Sequence, residues 1–84
     1  MNTVEGVDMS PPTIGRIVHY RLIDSGKIVP GIIVDVLENG KVDLFVMTSG
    51  RFGTEFEEGT FFERNVIQGK EKGKWSWPRI VVKP

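Results

Sequence analysis

Near the end of the chain, Gly73-Lys74-Trp75-Ser76-Trp77-Pro78-Arg79 sets two tryptophans one residue apart among basic neighbours. In an extended segment, positions i and i+2 share a face, so Trp75 and Trp77 lie side by side and Arg79 extends their row. Lys70, Lys72 and Lys74 precede them in a polar turn. Aromatic rings beside cations suit a nucleobase with its phosphate: the ring stacks on the base and the cation meets the charge. Each stacked base is worth about 1–3 kcal/mol. The indoles also have a structural use, because a small core needs large side chains to close its end. One can pack inward while the other rims a pocket.

A second basic set lies earlier, at Arg16, His19 and Arg21. Arg16 shares its face with Val18 and Tyr20, and His19 and Arg21 lie on the other. The candidate ligand contacts are therefore Trp75, Trp77 and Tyr20 for stacking, Arg16, Arg21, Lys74 and Arg79 for phosphates, and His19 for a hydrogen bond. Ordinary solvated strand charge is the alternative for Arg16, His19 and Arg21.

Catalysis finds little to work with. His19 is the only imidazole, and none of Ser10, Ser25, Ser49 and Ser76 sits in a nucleophile elbow. Glu57 and Glu58 are adjacent, so in an extended segment they point to opposite faces. Gly50-Arg51-Phe52-Gly53 is too short for a phosphate loop and no helix follows it. Without cysteine there is no thiol chemistry and no disulfide, and one histidine among scattered carboxylates makes no metal cluster. The expectation is a non-enzymatic protein with no cofactor and no metal.

Eighty-four residues make one domain with a thin core. Net charge is zero, from 11 basic and 11 acidic residues, which disfavours a protein that grips duplex DNA through many phosphates. The charge is uneven, however. From Gly69 to Pro84, Lys70, Lys72, Lys74, Arg79 and Lys83 face only Glu71, whereas from Arg51 to Glu63, Glu55, Glu57, Glu58 and Glu63 face only Arg51. A local basic patch can hold a small anion on a neutral protein. No apolar run is long enough to span a bilayer and no secretion signal is evident, so a soluble intracellular protein without a membrane partner is expected.

The elements that must position these residues are strands. Residues 1–12 show no period and predict a flexible N-terminal arm, with a single β-barrel domain over 13–84. Residues 15–23 alternate as a strand, 24–27 turn, and 28–37 form a second strand whose Pro30-Gly31 pair predicts a bulge or an edge. Asn39-Gly40 predicts a tight hairpin into 41–48. A glycine-punctuated loop over 49–59, with room for a short distorted strand around Phe56, leads to a fourth strand over 60–68. The last strand covers 75–82, where Pro78 forces an edge or a break. No helical stripe exists. The predicted fold is all-β: a small five-stranded SH3-like open barrel or bent antiparallel sheet.

Strand two is apolar on both faces, with Ile28, Ile32, Val34 and Val36 opposite Val29, Ile33 and Leu37. Strand three sets Val42, Leu44 and Val46 opposite Phe45 and Met47. One small core cannot easily cover both sets, so a homo-oligomer is expected, with the surplus buried between subunits. Cover by the 49–59 loop and the N-terminal arm is the alternative.

Residues 12–21, PTIGRIVHYR, and 73–78, GKWSWP, together resemble a widespread family of short, uncharacterised tailed-phage proteins. That family pairs a Pro-Thr-Ile/Val-Gly-Arg-x-Val-His-Tyr opening with a Gly-x-Trp-x-Trp-Pro close, and often has a Pro followed by a β-branched strand between. Residues 30–36 and the Asn39-Gly40 hairpin fit that middle, so the resemblance spans nearly all of 12–79. Ser76 departs from it, since the family commonly carries His between the tryptophans, and this weakens any role for the middle position. The resemblance implies phage origin. In size, expected oligomery and aromatic-cation patch, the chain is also similar to phage sponges that sequester the nucleotide signals of bacterial immunity, of the CBASS or Thoeris type. What this implies is a homo-oligomer in the host bacterial cytoplasm that binds a nucleotide-like anionic small molecule. The alternatives are a virion component such as a capsid-decorating protein, an inhibitor of a host protein, or a single-stranded nucleic-acid binder.

Overall fold

The alternation over residues 17–22 becomes a strand with one dry face: Val18, Tyr20 and Leu22 are buried. The computed structural model describes residues 4–6, 10–49, 58–78 and 80–82. Its elements are β1 (Val4–Gly6), β2 (Ile17–Arg21), β3 (Ile28–Val36), a short 3-10 turn (Glu38–Gly40), β4 (Val42–Ser49), β5 (Glu58–Val66), β6 (Trp75–Ser76) and β7 (Ile80–Val82). The protein is all-β. Five strands form one antiparallel sheet in the order β5-β4-β3-β2-β6, and β1 pairs antiparallel with β7 as a separate two-stranded ribbon. The sheet is open, but its ends approach each other: Trp75 on β6 makes an isolated bridge with Gln68, just beyond β5. The expected fold is thus met at the level of a five-stranded antiparallel sheet that does not close. The segment predicted as an arm includes β1, which has its backbone partner in β7. Phe56 and most of the 49–59 loop lie outside the described residues.

The core is one layer of side chains on the concave side. Val18, Tyr20 and Leu22 from β2 and the turn after it meet Val29 and Ile33 from β3, Val42, Leu44 and Val46 from β4, Val66 from β5, and Trp75 and Trp77. Of the two apolar faces of β3, the Val29-Ile33 face is the inner one. The other face leaves Ile28 and Val34 exposed.

Two local expectations are modified. Pro30 was expected at a bulge or an edge, yet β3 is central and its register with β2 runs unbroken through His19↔Pro30. The chain tolerates Pro30 there because β3 pairs with β4 only from Gly31 onward, so Pro30 has a strand neighbour on one side alone. The tight hairpin has the positive φ that such a turn demands, 67° at Asn39 and 75° at Gly40. It is one residue longer than a two-residue loop, closed by the Leu37 N–H donating to the Lys41 carbonyl at 2.8 Å.

The bulges lie elsewhere, at Asp43. The β3–β4 register shifts between Ile33 and Asp35, and the β4–β5 register shifts between Val42 and Leu44. Both strands flanking β4 therefore carry an extra residue opposite Asp43, and bulges increase local twist and bend a sheet. Asp43 is buried, and its carboxylate accepts the Asn65 N–H at 2.9 Å and Arg64 Nη1 at 3.4 Å. Asn65 takes φ 56°, a left-handed value that Asn tolerates. Asp43→Ala strands the Asn65 N–H at the bend, at a cost of about 1–3 kcal/mol. Thermal unfolding by circular dichroism should show a clear drop in midpoint, whereas Arg64→Ala, which removes only an exposed arm of the contact, should change little.

Candidate functional site

A cleft of about 390 Å³ opens against the β2–β6 edge of the sheet. Its floor is the outer face of β2 and β3: His19 and Arg21 from β2, and Ile28, which stands opposite Arg21 in the hairpin register. One wall is Ser76, opposite His19 on β6, together with Trp77 just after it. The other wall is the turn between β5 and β6, with Gln68, Gly69, Lys70 and Lys74. Three basic side chains and an imidazole line the cleft, and no carboxylate does so among the described residues.

Arg21 builds the cleft as much as it charges it. Its Nε donates to the Lys70 carbonyl at 2.9 Å and its Nη1 donates to the Gly26 carbonyl at 2.8 Å. One guanidinium thereby pins both the 22–27 turn and the 69–74 turn to the end of β2. The backbone repeats the clamp, since the Gly73 N–H donates to the Arg21 carbonyl at 2.8 Å and the Arg21 N–H donates to the Lys74 carbonyl at 3.2 Å. Gly73 takes φ 80°, which a residue with a side chain adopts only under strain. The polar turn is therefore a fixed wall of the cleft.

Lys74 Nζ lies 3.0 Å from Glu71 Oε1. The hydrogen bond from Lys74, with a smaller contribution from its charge, holds the Glu71 carboxyl below the usual carboxylate range. This small stabilisation exists above the ordinary carboxylate pKa and disappears as pH falls through the lowered one. The same pair competes with any anion for Lys74. Exposed pairs of this kind are weak, so Glu71→Gln should raise the affinity of the cleft for an anion only modestly, read by calorimetric titration.

The structure divides the sequence-predicted site residues. His19, Arg21, Lys74 and Trp77 converge on the cleft. Trp75 is 0% exposed and Tyr20 is buried beside it in the sheet register, so both are core side chains out of reach of a stacking ligand. The Tyr20 hydroxyl instead donates to Glu63 Oε2 at 3.0 Å across the sheet. The indoles do not form a flat row. They meet edge to face at 88°, with centroids 5.3 Å apart. Trp77 is 6% exposed, its Nε1 donates to the Ser10 carbonyl at 2.9 Å, and the Arg16 guanidinium lies 4.4 Å from the centre of its ring. Arg16 therefore buttresses the wall rather than lining the cleft. Arg79 lies outside the described residues.

Sequence reasoning left Ile28, Gln68, Gly69 and Ser76 out of the site and mentioned Lys70 only as part of the basic turn. Ile28 was recoverable, because a short turn between two strands places the end of one opposite the start of the next. Gln68 and Gly69 depend on the return of the chain from β5 to β6, which carries no local signature. The cleft can do one thing well: hold an anionic group at Lys70 and Lys74 while an apolar or flat part lies against Trp77 and Ile28. The chain matches no protein-family model, no curated protein and no solved structure.

Proposed function

We propose that this chain is a phage-encoded, non-enzymatic binding protein, an SH3-like open barrel that assembles as a homo-oligomer and sequesters a nucleotide-type signal of bacterial immunity in the cleft between β2, β6 and the 69–74 turn. The observation that carries the reading is the composition of that cleft: His19, Arg21, Lys70 and Lys74 beside Trp77, with no carboxylate among the described lining residues, on a protein of zero net charge. Positive charge gathered in one concave place favours a small anion over a long polyanion. A volume of about 390 Å³ is in the range of small-molecule sites, which begin near 300 Å³. Trp77, and not Trp75 or Tyr20, supplies the aromatic wall. Phage origin is supported by the opening and closing motifs.

Isothermal titration with mononucleotides, cyclic dinucleotides and ADP-ribose derivatives tests the proposal. Binding of one class at micromolar affinity or better, unaccompanied by turnover, is the expected result. Absence of binding across all classes refutes it. The exposed outer face of the sheet favours a second reading, a virion component that docks through that face. Mass spectrometry of purified virions separates the two, since only the second expects abundant copies in the particle.

A further inference from the structure

An apolar row crosses the outer face of the sheet at one level. Ile17 on β2 stands opposite Ile32 on β3, Ile32 opposite Phe45 on β4, and Phe45 opposite Phe62 on β5. The Phe45 and Phe62 rings are in contact, with centroids 5.1 Å apart and planes tilted by 50°. The row ends on β5, the edge strand, where Phe62 remains 55% exposed.

The two edges of the sheet differ. β6 is two residues long and stops before Pro78. β5 runs nine residues, Glu58–Val66, and contains neither lysine nor proline, two of the residues that blunt a solitary edge; its charges are Glu58, Glu63 and Arg64. Its one irregularity is the bulge opposite Asp43. From Glu63 back to Glu58 its register with β4 is unbroken. The outward N–H and C=O groups of such a strand are met most completely by another extended backbone.

We infer that the partner of this edge is β5 of a second copy, paired antiparallel about a two-fold axis at Phe62. The inference rests on the reading of the chain as a homo-oligomer and names the strand that joins it. If one sheet is to continue with both outer faces on the same side, outward residues must oppose outward residues, so the axis falls on a residue and not between two. An axis on Glu63 sets two like charges against each other. An axis on Phe61 separates the two Phe62 rings and sets each beside Thr60. An axis on Phe62 brings the two Phe62 rings together, sets Thr60 opposite Arg64 of the second copy and Phe61 opposite Glu63 of the second copy, and opposes no like charges. The apolar row then runs without a break from Ile17 of one copy to Ile17 of the other. The cleft borders Gln68 and Gly69, just beyond the C-terminal end of β5 and outside the paired segment 58–66.

Size-exclusion chromatography with light scattering tests the joint on the wild type, Phe62→Lys and Ile17→Lys. The chain mass is 9.4 kDa. The wild type should run as an even number of chains, Phe62→Lys at half that mass or less, and Ile17→Lys, at the other end of the row, at the wild-type mass. Phe62 and Ile17 are both exposed, so circular dichroism should show all three folded. A wild type of single-chain mass overturns the inference, as does Phe62→Lys at full mass. Dissociation by Ile17→Lys also overturns it, since that result places the contact on the sheet face and not at its edge. Nucleotide binding separates this joint from the cleft: Phe62→Lys should bind as the wild type does, and a dimer that binds no nucleotide counts against the cleft alone.

Discussion

Reversing two lysines in the wall of the cleft, Lys70→Glu with Lys74→Glu, should abolish ligand binding and leave the fold intact. Both side chains stand on the 69–74 turn, whose shape is set by Arg21, Gly73 and the Trp75 backbone and not by the lysine heads. Among the described residues, the ion pair lost is the exposed Lys74–Glu71 contact. A hydrogen bond to a charged group contributes about 1.5–3 kcal/mol. Losing two of them costs about 3–6 kcal/mol, a loss of more than about 100-fold in affinity before the repulsion of two new carboxylates is added. Titration calorimetry measures the loss, and an unchanged unfolding midpoint shows that it does not come from the fold. Retained affinity would move the site away from this turn.

Trp75→Ala has the opposite signature. Trp75 is fully buried, pairs with Tyr20 across β2 and β6, and packs edge to face with Trp77. Its backbone also joins the ends of the sheet, where the Trp75 N–H donates to the Ile67 carbonyl at 3.1 Å and the Gly69 N–H donates to the Trp75 carbonyl at 2.8 Å. Emptying that position costs about 3–5 kcal/mol. A domain of this length has about 4–12 kcal/mol in all. With a slope of about 1 kcal/mol per molar urea for so small a chain, the midpoint should fall by about 3–5 M. Trp75→Phe should cost far less, because it keeps most of the ring and removes the indole N–H, which is buried without a hydrogen-bond partner among the described residues. If Trp75→Ala unfolded no more easily than the wild type, the core described here would be wrong.

Trp77 shows why side-chain type is a poorer guide to a site than position. The tryptophans looked equivalent in sequence, and the alternation rule placed them on one face. Both rings do reach the core side and touch, but β6 ends at Ser76, before Trp77 and Pro78, so the pair is not held as a flat row. Beyond that end the backbone is free to turn, and Trp77 meets Trp75 edge on with the cleft on its other side. The break at Pro78 was legible, but its consequence for the neighbouring ring was not.

Strands were legible wherever alternation or a β-branched run marked them, which is why β2 to β5 lie close to their expected positions. The surplus of apolar surface on β3 was legible too, because no arrangement of a two-faced strand against one core hides both Ile28 and Val29. The bend was not. It depends on Asp43 accepting an N–H from a residue 22 positions away, and one aspartate in an apolar strand carries no mark of that partner. Arg21 was expected to meet phosphate, yet two of its donors are spent on backbone carbonyls. Its charge faces the cleft while its geometry serves the turns, a division that only the folded chain defines.

Native mass spectrometry of the wild type and of Lys70→Glu/Lys74→Glu, each purified from bacteria mounting a nucleotide-signalled defence response, is the most direct test of the cleft. The wild type should carry a phosphate-containing small molecule that absorbs near 260 nm, and the doubly reversed variant should carry none. A wild type that emerges empty and takes up no added nucleotide, or a variant that retains the same molecule, would contradict the account.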